Sequence, residues 1–263
     1  MDEAPAAISL ENVTVAFEGR KAALDDLSLK VRRREFVAIV GPSGSGKTTL
    51  LRLINRLAQP DSGAVHVEGA DVRSVDAIAL RRRIGYVFQN VGLFPHMSVA
   101  ENIGITPKLL GQDQQTIAAR VDELLDLVRL DSKDYRHRFP HQLSGGQRQR
   151  VGVARALAAK PKIVLMDEPL GALDPLTRDA LGQDYRRLHD ELGLTTVMIT
   201  HDMLEAVLLA DRVAVIQDGK VIADGTAQSL MAEDQPDYVH ELMRTPRRQA
   251  ERLRVLLDRP RPS

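Results

Sequence analysis

The sequence predicts an α/β fold: a mostly parallel sheet flanked by helices, with an N-terminal antiparallel β part and a helical insert. Three observations predict it. Continuous apolar runs of strand length, Phe36 to Val40 and Ile163 to Met166, read as strands covered on both faces. Each run leads into a helix, the first marked by Leu50, Leu51, Ile54 and Leu57 at helical spacing, the second starting after Pro175. Ahead of both, Ile8, Leu10, Val13, Val15 and Phe17, then Leu27, Leu29 and Val31, alternate as two antiparallel strands with one buried face do.

The remaining elements follow in order. Val65 and Val67 form a short strand and Ile84 to Phe88 another. From Asn90 to about Pro140 the character changes, and Ile117, Val121, Leu124, Leu125 and Val128 mark an amphipathic helix between loops. A helix from about Gly145 to Ala159, stopped by Pro161, returns the chain to the core, and the strand Thr196 to Thr200 continues it. Asp218-Gly219, between Val213/Val215 and Val221/Ile222, signals a two-residue hairpin. The expected organisation is one domain over 8–240, with 8–89 and 160–230 as the core and 90–159 as the helical insert. Residues 241–263 read as a basic tail, Arg-rich beyond Pro246, with a loose end at Pro260 and Pro262.

Composition bounds the function. The 263 residues, 43% apolar, suit one large domain or one with a small insert. Lys plus Arg and Asp plus Glu both number 36, so no general attraction to nucleic acid or anionic lipid is expected. The short runs Arg32 to Arg34 and Arg81 to Arg83 read as solvated faces, and no nucleic-acid partner is expected. The absence of cysteine excludes disulfides and thiolate metal sites. The start, MDEAPAAISL, lacks the basic-then-apolar order of a secretory signal. No apolar run approaches the roughly 20 residues that span a bilayer, so a membrane role comes through a partner.

Gly41-Pro42-Ser43-Gly44-Ser45-Gly46-Lys47-Thr48 satisfies the phosphate-binding pattern G-x-x-x-x-G-K-[ST], the mark of a P-loop NTPase core. The glycines let successive N–H groups turn inward at a helix N-terminus and wrap a phosphate chain. Lys47 would reach the β- and γ-phosphates, the Thr48 hydroxyl would ligate Mg²⁺, and Thr49 closes the set of nucleotide-binding candidates. Ile163 to Met166 ends in Asp167-Glu168, and neighbouring strand residues point to opposite sides. Alone, such a pair is a plain strand end. Beside a P-loop, Asp167 is expected to hold Mg²⁺ and Glu168 to orient or deprotonate the attacking water.

Leu143-Ser144-Gly145-Gly146-Gln147 decides between the possible P-loop proteins. A hydroxyl, two glycines and a helix start make a second anion-binding N-terminus. One P-loop already serves the phosphates, so a second such site suggests a nucleotide held elsewhere.

With these motifs the chain resembles the ABC-transporter nucleotide-binding subunits, from about residue 8 to 230. The resemblance implies that Ser144, Gly145, Gly146 and Gln147 of one subunit close over ATP bound to the P-loop of another, in a homodimer with two ATP sites at its interface. It also implies that Gln89 touches Mg²⁺ and senses a membrane subunit. Asp174, in Ala172-Leu173-Asp174, belongs to the loop linking the two sites, and His201 contacts the γ-phosphate. Phe17 stands where the family usually has a tyrosine stacking on adenine, and a phenyl ring can stack too.

A separate ATPase chain resembles importers more than exporters. GYVFQNVG from Gly85, LFPHMSVAENI from Leu93 and PKLLG from Pro107 resemble the osmoprotectant branch, which carries glycine betaine, choline and related quaternary amines. That resemblance implies transmembrane permease subunits, a solute-binding protein met indirectly, and a peripheral place on the cytoplasmic face of the plasma membrane. Many members of that branch carry regulatory domains after the ATPase core, and that mode of control is not expected from these 263 residues. Quaternary amines are recognised by aromatic cages, and with no Trp, four Tyr and five Phe scattered along the chain, selectivity is expected in the partners. An importer for another solute, such as an amino acid, and a non-transport ABC ATPase stay open as alternatives. A P-loop kinase would leave the second anion site without a task.

Overall fold

The computed structural model describes residues 6–16 and 22–257. In chain order these hold β1 (Ala6–Val15), β2 (Leu24–Arg32), β3 (Phe36–Val40), α1 (Lys47–Ile54), β4 (Ser62–Val67), β5 (Ala70–Asp71), α2 (Ala77–Arg83) and β6 (Ile84–Val87). Then come α3 (Val99–Leu109), α4 (Gln114–Leu127), α5 (Ser132–Tyr135), α6 (Gly145–Leu157), β7 (Ile163–Asp167), α7 (Pro175–Leu192) and β8 (Thr195–Ile199). The last elements are α8 (Met203–Leu209), β9 (Arg212–Gln217), β10 (Lys220–Gly225) and α9 (Asp237–Leu257).

Two sheets organise the core. One is antiparallel in the order β2-β1-β4-β5. The other runs β10-β9-β3-β8-β7-β6, parallel from β9 to β6, with β10 added as an antiparallel hairpin strand. The period-2 geometry of a strand explains why β3, covered on both faces, is apolar throughout. Phe36, Ala38 and Val40 of β3 face a cluster shared with α3, α4, α6, α7 and α8. Val37 and Ile39 face the opposite cluster, built from β1, β2, β4 and α1. The parallel sheet is thus covered on both sides, and the carboxyl ends of β3 and β7 lie close to one another in it, separated by β8.

Most expected elements appear where the apolar pattern put them, with instructive exceptions. Helix α1 ends at Ile54, and Leu57 lies beyond it at 54% exposure, because the chain turns at Arg56, whose φ is 54°. Strand β6 stops at Val87, leaving Phe88 at the surface. The hairpin turn has φ of 51° at Asp218 and 80° at Gly219, the two positive values that this turn type demands. The boundary expected at 240/241 falls inside α9, which continues through Pro246 and buries Val239 and Met243. A proline removes one helical hydrogen bond but does not undo a helix already anchored by the packing of Val239 and Met243 ahead of it. The expected loose end at Pro260 and Pro262 lies outside the described residues.

Between α6 and α7 sits a buried charge cluster. Asp184 of α7 accepts from Arg150 Nη1 of α6 at 2.7 Å and pairs with Arg129 Nη2 at 3.1 Å. Arg150 Nη1 also donates to Val128 O, so the pair is held by further hydrogen bonds as a buried ion pair requires.

Candidate active site

The site grows from the end of β3. Gly46 caps α1 in the left-handed region, φ 99°, where a Cβ would run into the carbonyl oxygen of Ala23, so only glycine lets the loop pass there. The start of α1 has no side-chain cap and no acid in its first turn. Its first N–H groups therefore stay available for an anion, favoured by the helix dipole. Lys47 curls over the loop, Nζ donating to Gly41 O and Pro42 O, both at 2.8 Å. Burial pulls its proton affinity down, and Glu168 and Asp167 pull it back up. Ser45 Oγ is buried in the loop without a hydrogen-bond partner among the described residues.

Strand β7 delivers the carboxylates. Thr48 Oγ1 donates to Asp167 Oδ1 at 3.4 Å. Burial first and then the neighbouring Glu168 push the Asp167 carboxyl above the usual range, while Thr48, Arg52 and Tyr86 pull it back. Glu168 has φ 44°, a bend that turns its carboxylate away from the strand direction. Its Oε2 accepts from Gln89 Nε2 at 2.9 Å and stands 3.4 Å from His201 Nδ1. Gly171 closes the back of this group: a Cβ there would lie 3.7 Å from both Glu168 Oε2 and His201 Cε1.

These side chains surround one cleft of about 590 Å³, lined by Ser43, Gly44, Gly46, Lys47, Thr48, Thr49, Gln89, Glu168 and His201, with Ala23 beside them. Gly41 and Pro42 join through Lys47, and Asp167 through Thr48. The hydroxyl of Thr48, the amide oxygen of Gln89 and the carboxylate of Asp167 are hard oxygen donors, the set that suits Mg²⁺. Among the described residues no cluster of three or more His, Cys, Asp or Glu could hold a metal. Two residues of the site escaped the sequence reading. Ala23 carries no chemical signal at all. Tyr86, whose hydroxyl is pushed up by burial first and then by the charge of nearby Asp167, reads in sequence as an ordinary strand residue.

The second anion site stands apart. Neither Ser144, Gly145, Gly146 and Gln147 nor Asp174 lines the cleft. Ser144 caps α6: its Oγ accepts from Gln147 N at 3.3 Å, and Gln147 Oε1 accepts from Ser144 N at 2.9 Å, a reciprocal capping box. Gln147 Nε2 reaches Tyr135 OH at 2.9 Å. Gly146 is pressed against α7, where a Cβ would stand 2.6 Å from Thr177 Cγ2. Asp174 caps α7, accepting from Thr177 N at 3.0 Å, and that contact holds its carboxyl below the usual range. Phe17, expected at the base, lies outside the described residues.

Comparison with known proteins follows the same lines. The family model described as "ABC transporter" matches residues 24–171, more than half of the chain. The choline transport ATP-binding protein OpuBA of Bacillus subtilis (strain 168) is 45% identical over 236 residues, covering 90% of this chain and 62% of that protein. The glycine betaine uptake system ATP-binding protein YehX of Escherichia coli (strain K12) is 47% identical over 234 residues, 89% of this chain and 75% of that protein. The chain thus spans less than two thirds of the first relative's length. Among solved structures, dimeric MJ0796, a bacterial ABC transporter cassette, superposes with a TM-score of 0.75 at 36% identity, covering 83% of this chain and 98% of that one. Motif order, the geometry of the cleft and these likenesses agree that the chain belongs to the ABC transporter family.

Proposed function

We propose that this chain binds and hydrolyses ATP as the motor subunit of an importer, acting as one half of a dimer with two nucleotide sites. The observation that carries the reading is the division of the phosphate-binding parts. Lys47, Thr48, Gln89, Glu168 and His201 converge on one cleft, while Ser144 to Gln147, of like chemistry, stand outside it. A second copy would bring its own Ser144 to Gln147 to the open side of that cleft.

Within the cleft, the N–H groups at the start of α1 and the Lys47 ammonium would bind the phosphate chain. Thr48, Asp167 and Gln89 would hold Mg²⁺, which when bound neutralises phosphate charge. Glu168, steadied by Gln89 and His201, would take the proton of the attacking water. Residues 8–240 would form the ATPase unit. Because OpuBA and YehX are named for choline and glycine betaine transport, the solute proposed is a quaternary amine. Its recognition falls to permease and solute-binding partners.

No helix among the described residues is long and apolar enough to cross a membrane. Attachment to the cytoplasmic face would run through a permease. A groove of about 590 Å³, lined by Leu57, Phe88, Phe94 and Leu109 among others, supports that attachment, since these large apolar residues are between 40% and 56% exposed.

The test is transport by the complex reconstituted in proteoliposomes with its permease and binding protein. Labelled glycine betaine, choline and carnitine are expected to accumulate only with ATP on the side of this chain. Uptake of an amino acid in their place would replace the solute assignment, and ATPase activity without any uptake would favour a non-transport role.

A further inference from the structure

The loop that carries Gln89 is held in an unusual way. Val91 has φ 58°, in the left-handed region, where a β-branched side chain is crowded by its own backbone. Gly92 follows at the same φ of 58°, its N–H donating to Asn90 O at 2.5 Å. The turn presents two carbonyls to α6, and both are taken by one side chain. Arg155 donates from Nη2 to Val91 O at 2.7 Å and from Nη1 to Gly92 O at 2.6 Å.

Arg155 is only 8% exposed, and its guanidinium also lies 5.9 Å and 6.0 Å from the ring centres of Phe88 and Phe94. Burial alone lowers its proton affinity, with no carboxylate among the described residues pairing with it. A buried cation without an anion persists only where hydrogen bonds replace its water, and here the loop supplies them. Three residues earlier on the same helix, a Cβ at Gly152 would stand 2.9 Å from Val91 Cγ1. Position 152 thus makes room for Val91, and position 155 grips the peptide that follows it.

We propose that Arg155 is a positioning residue for hydrolysis: its two-pronged hold on Val91 O and Gly92 O sets where Gln89 meets Glu168. The inference rests on the ATPase reading above. It also gives α6 a second task. The helix begins at Ser144, in the motif offered to a partner's nucleotide, and reaches Arg155 about 16 Å further on, at about 1.5 Å per residue. A shift at its start is delivered by a rigid rod to the loop of Gln89.

The test measures kcat and KM for ATP with the full chain, comparing the parent with Arg155→Met, Gly152→Ala, Gln89→Ala and the double variant Arg155→Met/Gln89→Ala. Arg155→Met, close in volume but without donors, is expected to lower kcat about 10-fold while KM moves less than about 2-fold. Gln89→Ala placed on top of it should lower kcat by no more than about 2-fold further, because both act through one contact. Arg155→Lys, with a single ammonium, should recover part of the loss. Unchanged kcat in folded Arg155→Met, or effects of the two single variants that simply multiply, overturns the proposal. If Arg155→Met does not fold, Gly152→Ala carries the test, since it presses on Val91 with Arg155 intact; the same fall in kcat is expected, and a normal kcat overturns the proposal. A parent chain that hydrolyses no ATP overturns the ATPase reading first, which keeps the two failures apart.

Discussion

Helix α1 starts at Gly46 with no side-chain cap, whereas α6 starts at Ser144 with a reciprocal box in which Ser144 and Gln147 each satisfy the other's backbone N–H. Both are glycine-rich N-termini suited to an anion. The first leaves its donors open and is surrounded, within the chain, by a lysine, two carboxylates and a histidine. The second satisfies part of itself and has no such company. On the proposed reading a phosphate site is divided by chemistry: one piece would bind and react, and the other would be held in shape for a second copy. The capping box keeps the offered piece ordered while it waits.

The largest expected effect tests the complete half. Glu168→Gln keeps the side-chain volume and removes the carboxylate, the proposed proton acceptor, beside Gln89 and His201. Hydrolysis should fall by roughly 10²- to 10⁴-fold, while nucleotide stays bound and the dimer accumulates. Near-normal turnover, with only monomer on gel filtration in Mg-ATP, would remove Glu168 from the chemistry. Lys47→Ala attacks the same half differently, by withdrawing the cation that faces the phosphates. Losing a charged hydrogen-bonding partner should weaken binding by about 10- to 150-fold, read with a fluorescent ATP analogue. Equal affinity in both proteins would contradict the P-loop reading.

The comparison itself is broken or upheld by mixing. Ser144→Arg spoils the offered piece and Lys47→Ala the binding piece, so each homodimer is dead at both sites. In a two-fold symmetric mixed dimer both lesions fall in one site and the other is intact. Activity should return to at most about half per mixed dimer, and to less if the sites are coupled. A mixture that stays inactive, with mixed dimers verified by cross-linking, would mean that the two pieces act within one chain or that the sites never fire singly. The smallest effect concerns order alone. Ser144→Ala removes the cap and should cost about 1 kcal/mol in urea unfolding, while Ser144→Gly should cost only a few tenths. Equal stability for the alanine variant and its parent would show that the box contributes nothing to holding α6.

Motif spacing made part of the cleft readable before any coordinates: Lys47 and Thr48 stand in a peptide with few other uses, Asp167 and Glu168 gain meaning beside it, and His201 was named by the family resemblance. Strands β3 and β7 were readable for a different reason, since strands covered on both faces read as continuous apolar runs. What escaped depends on contacts remote in sequence. Tyr86 joins the site only because β6 pairs with β7 and brings its hydroxyl to Asp167. Arg155 looks like a polar residue on an amphipathic helix until the loop of Val91 is folded against it. Residues 241–263 read as a basic tail, yet α9 runs across position 241, with Val239 and Met243 packed in the core. The surface position of Leu57 is a local matter of where α1 unwinds, which apolar spacing does not report.

The acid between α6 and α7 bears on how this sequence can drift. Asp184 answers to Arg150 and Arg129 at once, in a seam where it is 4% exposed. Losing the acid alone would leave the half-sheltered Arg150 without its anion, while Arg129, 62% exposed, stays in water; losing Arg150 alone would strand the acid, and breaking such a buried pair costs about 3–5 kcal/mol. Exchanging Asp184 and Arg150 together for apolar residues of similar size can be neutral. Substitutions at these two positions should therefore arrive in company among descendants of this chain. A lineage that has abandoned Asp184 is one in which the contact between the offered helix and its neighbour has been rebuilt.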